Sequence, residues 1–349
     1  KKEIDELLEG DAALFCSLYN ITEAGNWEDV NIPHLTISFG EFASQHQLAM
    51  DELETKIKKS MDTLAAARRR RVKPLLDDKI ILGWNALMNT AYAKAFAATS
   101  VKKYRQTAEK NMNFLLNAFQ LEEGGEMHHV WKSGEAKFPA FLDDYAYLIQ
   151  ALIHLQEINS QTNLLEKAKQ LTRHVSAAFR DESSAFFFYT PTHQRDIVVR
   201  KKEVYDGAVP SGNAVMASNL WYLGLVFDNM QWQQESVQLV GSLLQAITRY
   251  PGSFGVWACH LLGLQKGYLE IAIVGEGSRI GCDEVLKWFL PYRVIQAAQS
   301  ANKNFPLLDG KIPEKGTSLY YLCSNYKCLK PAGNTREFQA ILNETTLKQ

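Results

Sequence analysis

With 349 residues, 46% of them hydrophobic and 11% aromatic, the chain can bury a large core as one or two domains. A formal net charge of −1 gives no general attraction for nucleic acid or an anionic membrane surface, and no apolar run reaches membrane-spanning length. The five cysteines, odd in number and widely spaced, fit a reducing, cytoplasmic compartment better than a disulfide framework, and no signal peptide is visible.

Taken in chain order, residues 3–18 predict a helix, which starts so close to Lys1 that the sequence reads as part of a longer protein. A loop around Gly25-Asn26-Trp27 leads to a long polar helix over 42–71. That helix ends in Arg68-Arg69-Arg70-Arg71, the one basic block, where cations complement the helix dipole. From 80 to 97 the apolar residues leave no clean polar face, so this helix should be buried. In the next segment Tyr104, Ala108, Met112, Leu115 and Phe119 form a single stripe, the mark of an outer helix. The pair recurs as 141–155 buried with 164–179 striped, and again as 214–227 buried with a stripe from Trp232 to Ile247. Breaks at 123–125 and 190–192 precede strand-like segments at 127–131 and 197–199, hairpin-like connections suited to a rim. A shorter helix falls near 254–264.

Such alternation of inner and outer helices is what an α/α toroid requires. Each inner helix starts at a polar and aromatic box: Asp77-Asp78-Lys79 leading to Trp84-Asn85, Leu142-Asp143-Asp144-Tyr145, and Asp206 through Pro210-Ser211-Gly212-Asn213. The boxes recur at roughly 60 to 70 residues, too long for the common solenoid repeats, and would gather polar helix ends at one mouth. After Gly267, strands at 268–274, 292–297 and 318–323 with helices at 283–290 and 335–342 predict a small α/β insert. Gly275-x-Gly277 follows the first of these strands, but the third glycine of a dinucleotide fingerprint is missing. Position 296 is Gln, where the ribose-binding acid would stand.

Several ordered motifs resemble one family. They are Arg71-Val72-Lys73-Pro74 through Ile80 with Trp84-Asn85-Ala86-Leu87-Met88, Phe141-Leu142-Asp143-Asp144-Tyr145-Ala146, the box from Asp206 to Asn213, Gly25-Asn26-Trp27-Glu28, and Cys323-x4-Cys328-x2-Pro331. Together they are similar to the spermatogenesis-associated, thioredoxin-domain-containing family, over essentially the whole chain. The resemblance implies a mainly α fold, an (α/α)6-type toroid like those of N-acylglucosamine 2-epimerases and six-hairpin glycosidases. It also implies an attached thioredoxin-like domain, which has no counterpart here. About ten helices are expected by periodicity against the twelve of a closed ring, so the toroid is expected to be incomplete. Its helices would span 1–265, the insert 266–334, and a closing helix 335–349.

Asp144 and Asp206 are the candidate catalytic carboxylates, an acid and a base for a glycoside, with their separation deciding inversion or retention. Asp is a favoured N-cap, but Asp143 and Asp144 cannot both cap one helix; Asp144 is the better candidate to face the mouth. Candidate substrate contacts are Trp84, Asn85, Asp78, Tyr145, Ser211, Asn213 and His128, each with a structural alternative. Asp78 can cap a helix or pair with the arginine block, and Ser211 can be an N-cap. Asn85 and Asn213 must bond backbone or face a cavity, since an unpaired buried amide costs about 1–3 kcal/mol. Trp84 and Tyr145 can stack on a sugar or belong to the core. His128 and its neighbour His129 lie on a strand and point to opposite faces, so one alone can enter the mouth. His154 and His260 read as core, and no spacing resembles a zinc site. Cys323 and Cys328 read as structural, with a redox pair as the alternative.

No cofactor is implied. The expected partners are a small sugar and the attached thioredoxin-like domain, with no nucleic acid and no membrane. If the toroid is an enzyme, a sugar epimerase or a glycoside hydrolase is expected. A non-catalytic scaffold binding a client for the redox domain is the competing reading.

Overall fold

Two stretches of the chain fold as separate units, Lys1–Asp77 and Asp78–Gln349. The structure is a computed structural model that describes residues 1–121, 125–324 and 327–346. Of the predicted break at 123–125, Glu123 and Gly124 lie outside the described residues.

In the first unit the helix expected over 3–18 is two, α1 (Lys2–Leu8) and α2 (Ala12–Leu18), parted where Glu9 takes a φ of 46°. The helix expected over 42–71 also divides. A reciprocal capping box between Ser38 and Glu41 opens α3 (Phe39–Gln45), and α4 (Met50–Arg69) follows after Gln47, whose left-handed φ of 54° ends the first helix. Leu8, Phe15, Leu18, Phe42, Leu53 and Ile57 form the core of this unit, and Arg71 pairs with Glu3.

The second unit opens with β1 (Ile80–Ile81), α5 (Leu82–Thr99) and α6 (Lys102–Ala118). A hairpin of β2 (His128–Lys132) and β3 (Glu135–Pro139) leads to α7 (Leu142–Asn159) and α8 (Asn163–Ala178). Then come α9 (Gly212–Val226), α10 (Met230–Arg249) and α11 (Gly255–Lys266). Helices α5, α7, α9 and α11 pack side by side as an inner layer, with α6, α8 and α10 outside them. The layering follows from composition, since α7 and α9 bury nearly every residue while α6, α8 and α10 bury one stripe. Buried amides tie the layers together: Asn89 Nδ2 donates to the Ala108 carbonyl (2.8 Å) across α5 and α6, and Asn219 Nδ2 donates to the Ala146 carbonyl (2.8 Å) across α9 and α7. The architecture is thus of the α/α toroid type, mainly helical with a small sheet region.

Two expectations change here. Helix α5 is not buried all round, because Trp84 and Met88 are exposed; it stands at one end of the inner layer, with α7 as its inner neighbour. Residues 197–199 form no strand. Their segment is held instead by side chains, with the Arg200 guanidinium donating to the Thr190 carbonyl (2.6 Å) and Lys202 paired with Asp181 (2.6 Å).

The insert comprises β4 (Leu269–Gly275), α12 (Ser278–Val285), β5 (Arg293–Ala298), β6 (Ser318–Ser324), β7 (Lys327–Cys328) and α13 (Thr335–Thr346). Its sheet runs β5-β4-β6-β7, with β4 and β5 parallel through α12 and the other pairs antiparallel. The α12 helix starts directly after the Gly275–Gly277 turn, earlier than the expected 283–290. Because α12 and β5 pack on α7, the insert shares one core with the toroid helices. The chain therefore divides at 77/78 rather than at 265/266. Helix α13 does not close the toroid; it lies on β6 and α12, where Phe338 packs against Trp288 and Tyr320. Cys323 and Cys328 are joined as a disulfide across β6 and β7. Among the described residues, no helix is long and apolar enough to cross a membrane.

Candidate active site

The box that opens α7 carries two adjacent carboxylates with opposite fates. Asp144 is 2% exposed and fully engaged. Its Oδ1 accepts the Gly83 amide of α5 (2.8 Å), and its Oδ2 accepts the Phe141 amide (2.9 Å) and contacts His129 Nδ1 (2.7 Å). It caps its own helix and ties α7 to α5, so the expected mouth-facing carboxylate is instead a structural one. The free member is Asp143. It faces the other way, toward the first turn of α9, where a Cβ on Gly212 would lie 2.2 Å from its Oδ1. Only glycine allows that approach. The Gly212 amide acts on the carboxylate electrostatically, but Oδ1 is buried with no well-formed hydrogen bond.

Asp143 has the electrostatics of a proton-transfer group. Burial raises its pKa to about 7, and the neighbouring Asp144 and Glu203 charges add to the rise, while the Gly212 amide and His129 oppose it. Around it stand two tyrosines. Tyr147 donates from its hydroxyl to the Pro210 carbonyl. Tyr189 stacks on Phe141 at 4.8 Å, and His129 lies tilted against the same Phe141 ring at 4.8 Å. Burial first, and then the Asp143 charge, raises the pKa of both phenols, so they stay protonated.

The other expected residues are placed as follows. Asp206 accepts the Ser211 amide (2.9 Å) on Oδ1 and the Val256 amide (2.8 Å) on Oδ2, stapling the loop to α11. Each oxygen thus accepts one backbone amide. An Asp206→Asn variant turns one acceptor toward an amide as a donor, and should lose about 1–3 kcal/mol of stability in urea unfolding; an unchanged midpoint would show that the staple is unimportant. Ser211 caps α9, accepting the Ala214 amide (3.4 Å) and donating to the Glu203 carbonyl (3.0 Å). Asn213 is buried on backbone partners, the Phe187 amide and the Phe187 and Glu203 carbonyls. Asn85 bonds the Ile81 carbonyl and Asn111 between α5 and α6. Tyr145 is core, its hydroxyl accepting the Met127 amide (2.9 Å).

Trp84 is 63% exposed on the first turn of α5. Asp78 pairs with Lys132, whose ammonium lowers its pKa, and not with the arginine block. The two histidines do point apart: His129 meets Asp144, while His128 lines a separate cavity of about 310 Å³ with His174 and His193. The geometry thus adds Asp143, His129, Tyr147, Tyr189, Glu203 and Gly212 around one point. Among the described residues no group of three or more His, Cys, Asp and Glu side chains is arranged to hold a metal.

Comparison with known sequences follows the same chain limits. The chain is 25% identical over 99% of its length to an uncharacterized protein of Caenorhabditis elegans, covering 51% of that protein. It is 23% identical over 93% of its length to spermatogenesis-associated protein 20 of Mus musculus, covering 45% of it. The chain is similar to spermatogenesis-associated protein 20 of mouse, rat and human. It spans about half the length of the curated relatives it matches, and the match to spermatogenesis-associated protein 20 takes in both units. No family model matches. Among solved structures, a GH76 α-mannanase of Bacteroides thetaiotaomicron matches with a TM-score of 0.41 and 13% identity, over 68% of this chain and 70% of its own.

Proposed function

We propose that the mouth formed by the first turns of α7 and α9 binds a small carbohydrate, with Asp143 as its acid/base group. The observation that carries this is the half-buried Asp143 carboxyl, whose Oδ1 is buried without a well-formed partner and whose pKa burial raises to about 7, where it can both give and take a proton near neutral pH. Glu203, exposed on the preceding loop, has a charge close enough to raise Asp143. The stacked Phe141 and Tyr189 rings give a flat wall for a sugar face.

The test is a thermal-shift panel of mono- and disaccharides on the chain and on Asp143→Asn. A sugar at about 100 times its Kd adds about 2.7 kcal/mol to stability. A shift in the wild-type chain that shrinks in Asp143→Asn is expected; no shift with any sugar sinks the reading. A second reading, a non-catalytic mouth serving a thioredoxin-like domain as client-binding module, is favoured by one observation. Asp144 and Asp206 are both spent on backbone amides, which leaves the boxes of α7 and α9 a single free carboxyl. A peptide that shifts the melting temperature where sugars do not would put this second reading ahead.

A further inference from the structure

A second cavity lies well away from Asp143. It has a volume of about 530 Å³, is open to solvent on one side, and is bordered by the inner helices and the segment 286–293 that joins α12 to β5. On α7 it runs from Gln150 to Ile158, about 10 to 22 Å along the helix from Asp143 at 1.5 Å per residue. Helix α5 contributes Lys94 and Ala97, α9 contributes Tyr222, and α11 contributes His260. The mouth's residues are absent from its wall.

The polar groups of this cavity are arranged so that most are already satisfied. Glu157 is buried and carries an ion pair with Arg293 (3.2 Å) and a hydrogen bond from the Tyr222 hydroxyl (3.3 Å). His154 Nδ1 stands 3.4 Å from the same carboxylate. His260 is locked too. The Ser236 hydroxyl donates to the Ala217 carbonyl (2.7 Å), so its oxygen must accept from His260 Nε2 (2.7 Å), which leaves Nδ1 to accept from Tyr268 (3.4 Å). Lys287 is held by Glu284 at 2.7 Å.

One charge is left over. Three cations, Lys94, Lys287 and Arg293, line the cavity against one carboxylate, Glu157, and Arg293 and Lys287 have acidic partners. Lys94, itself exposed to solvent, has none among the described residues. The remaining wall is largely apolar, and Phe289 stands 91% exposed at its edge beside Trp288. A cavity of this size, mostly apolar with one uncommitted charge, fits a small ligand with an apolar body and a single opposite charge.

We propose that this cavity is a binding site for a small amphipathic carboxylate, its apolar body against Ala97, Ile153 and Trp288 and its carboxylate at Lys94. Glu157 does not oppose such a ligand, because Arg293 balances its charge within the wall. The site is independent of the mouth and makes no use of Asp143.

Isothermal titration of the whole chain with octanoate, and with its neutral isostere octanamide, tests the proposal. Octanoate is expected to bind at least about tenfold more tightly than the amide, the equivalent of about 1.4 kcal/mol for the charge. Lys94→Met, which keeps the chain length and removes the charge, should bring the two affinities together. Ala97→Phe, which fills the cavity, should abolish both. No binding of octanoate to the wild-type chain overturns the proposal. So does equal affinity for the two ligands, a preference that survives Lys94→Met, or binding that survives Ala97→Phe in a folded sample.

Discussion

Asp143→Asn is expected to be more stable than the wild-type chain at pH 8, by roughly 2 to 4 kcal/mol, and nearly equal to it at pH 3. The reason is the raised carboxyl. In the folded chain Asp143 holds its proton up to about pH 7, against an ordinary value of 3.8. The folded state therefore binds the proton more tightly than the unfolded chain. The stability this gives is fully present below the unfolded value and is lost as pH rises to 7, where a charge must be held in a buried site beside Asp144. Asparagine has the same shape and no charge, so it escapes the loss that accumulates between about pH 4 and pH 7 and gains little at lower pH. Urea unfolding of both chains at the two pH values reads the difference directly. A stability difference that does not change with pH would mean that Asp143 does not titrate near neutrality, and would remove the basis for its role as an acid/base group.

The layering of the toroid was legible because full burial leaves a signature in composition: α7 and α9 have no polar face to turn outward. The free carboxylate was not legible. Asp143 and Asp144 are adjacent on one helix, and which of them is spent depends on contacts distant in sequence, Gly83 on one side and Gly212 on the other. A signal was present nonetheless. Both neighbouring inner helices carry a glycine in their first turn, where a side-chain-free position lets a carboxylate approach the helix end. At Asp206 and Asn213 the partners were not legible for a related reason: polar residues at the start of an inner helix serve backbone amides as readily as ligands, and their partners Val256 and Phe187 are distant in sequence. Trp84 shows a different limit. An apolar face reads as buried whether or not a neighbour lies against it, and only the packing shows that α5 stands at the end of its layer.

Gly275→Ala is expected to lose about 3 kcal/mol or more, while Gly277→Ala loses less than about 1 kcal/mol. The two glycines look alike in sequence, as a Gly-x-Gly after a strand. In the structure they do different things. A Cβ on Gly275 would lie 2.1 Å from the Thr317 carbonyl oxygen and 2.7 Å from Ser318 Cα, both backbone atoms of the paired strand region that cannot rotate away. Its φ of +135° adds strain for any side chain. Gly277 meets only the Ser318 hydroxyl at 3.1 Å, and its amide already donates to that oxygen at 2.9 Å. In a dinucleotide cradle both glycines would serve a pyrophosphate, the second by leaving its backbone open to the ligand. Here the first glycine exists for the close approach of β4 to the chain entering β6, and the second has its amide engaged. Equilibrium unfolding of the two variants separates these accounts. Equal, small losses would remove the close approach at Gly275, whereas a large loss confined to Gly275 assigns the motif to sheet packing and leaves nothing for a phosphate to use.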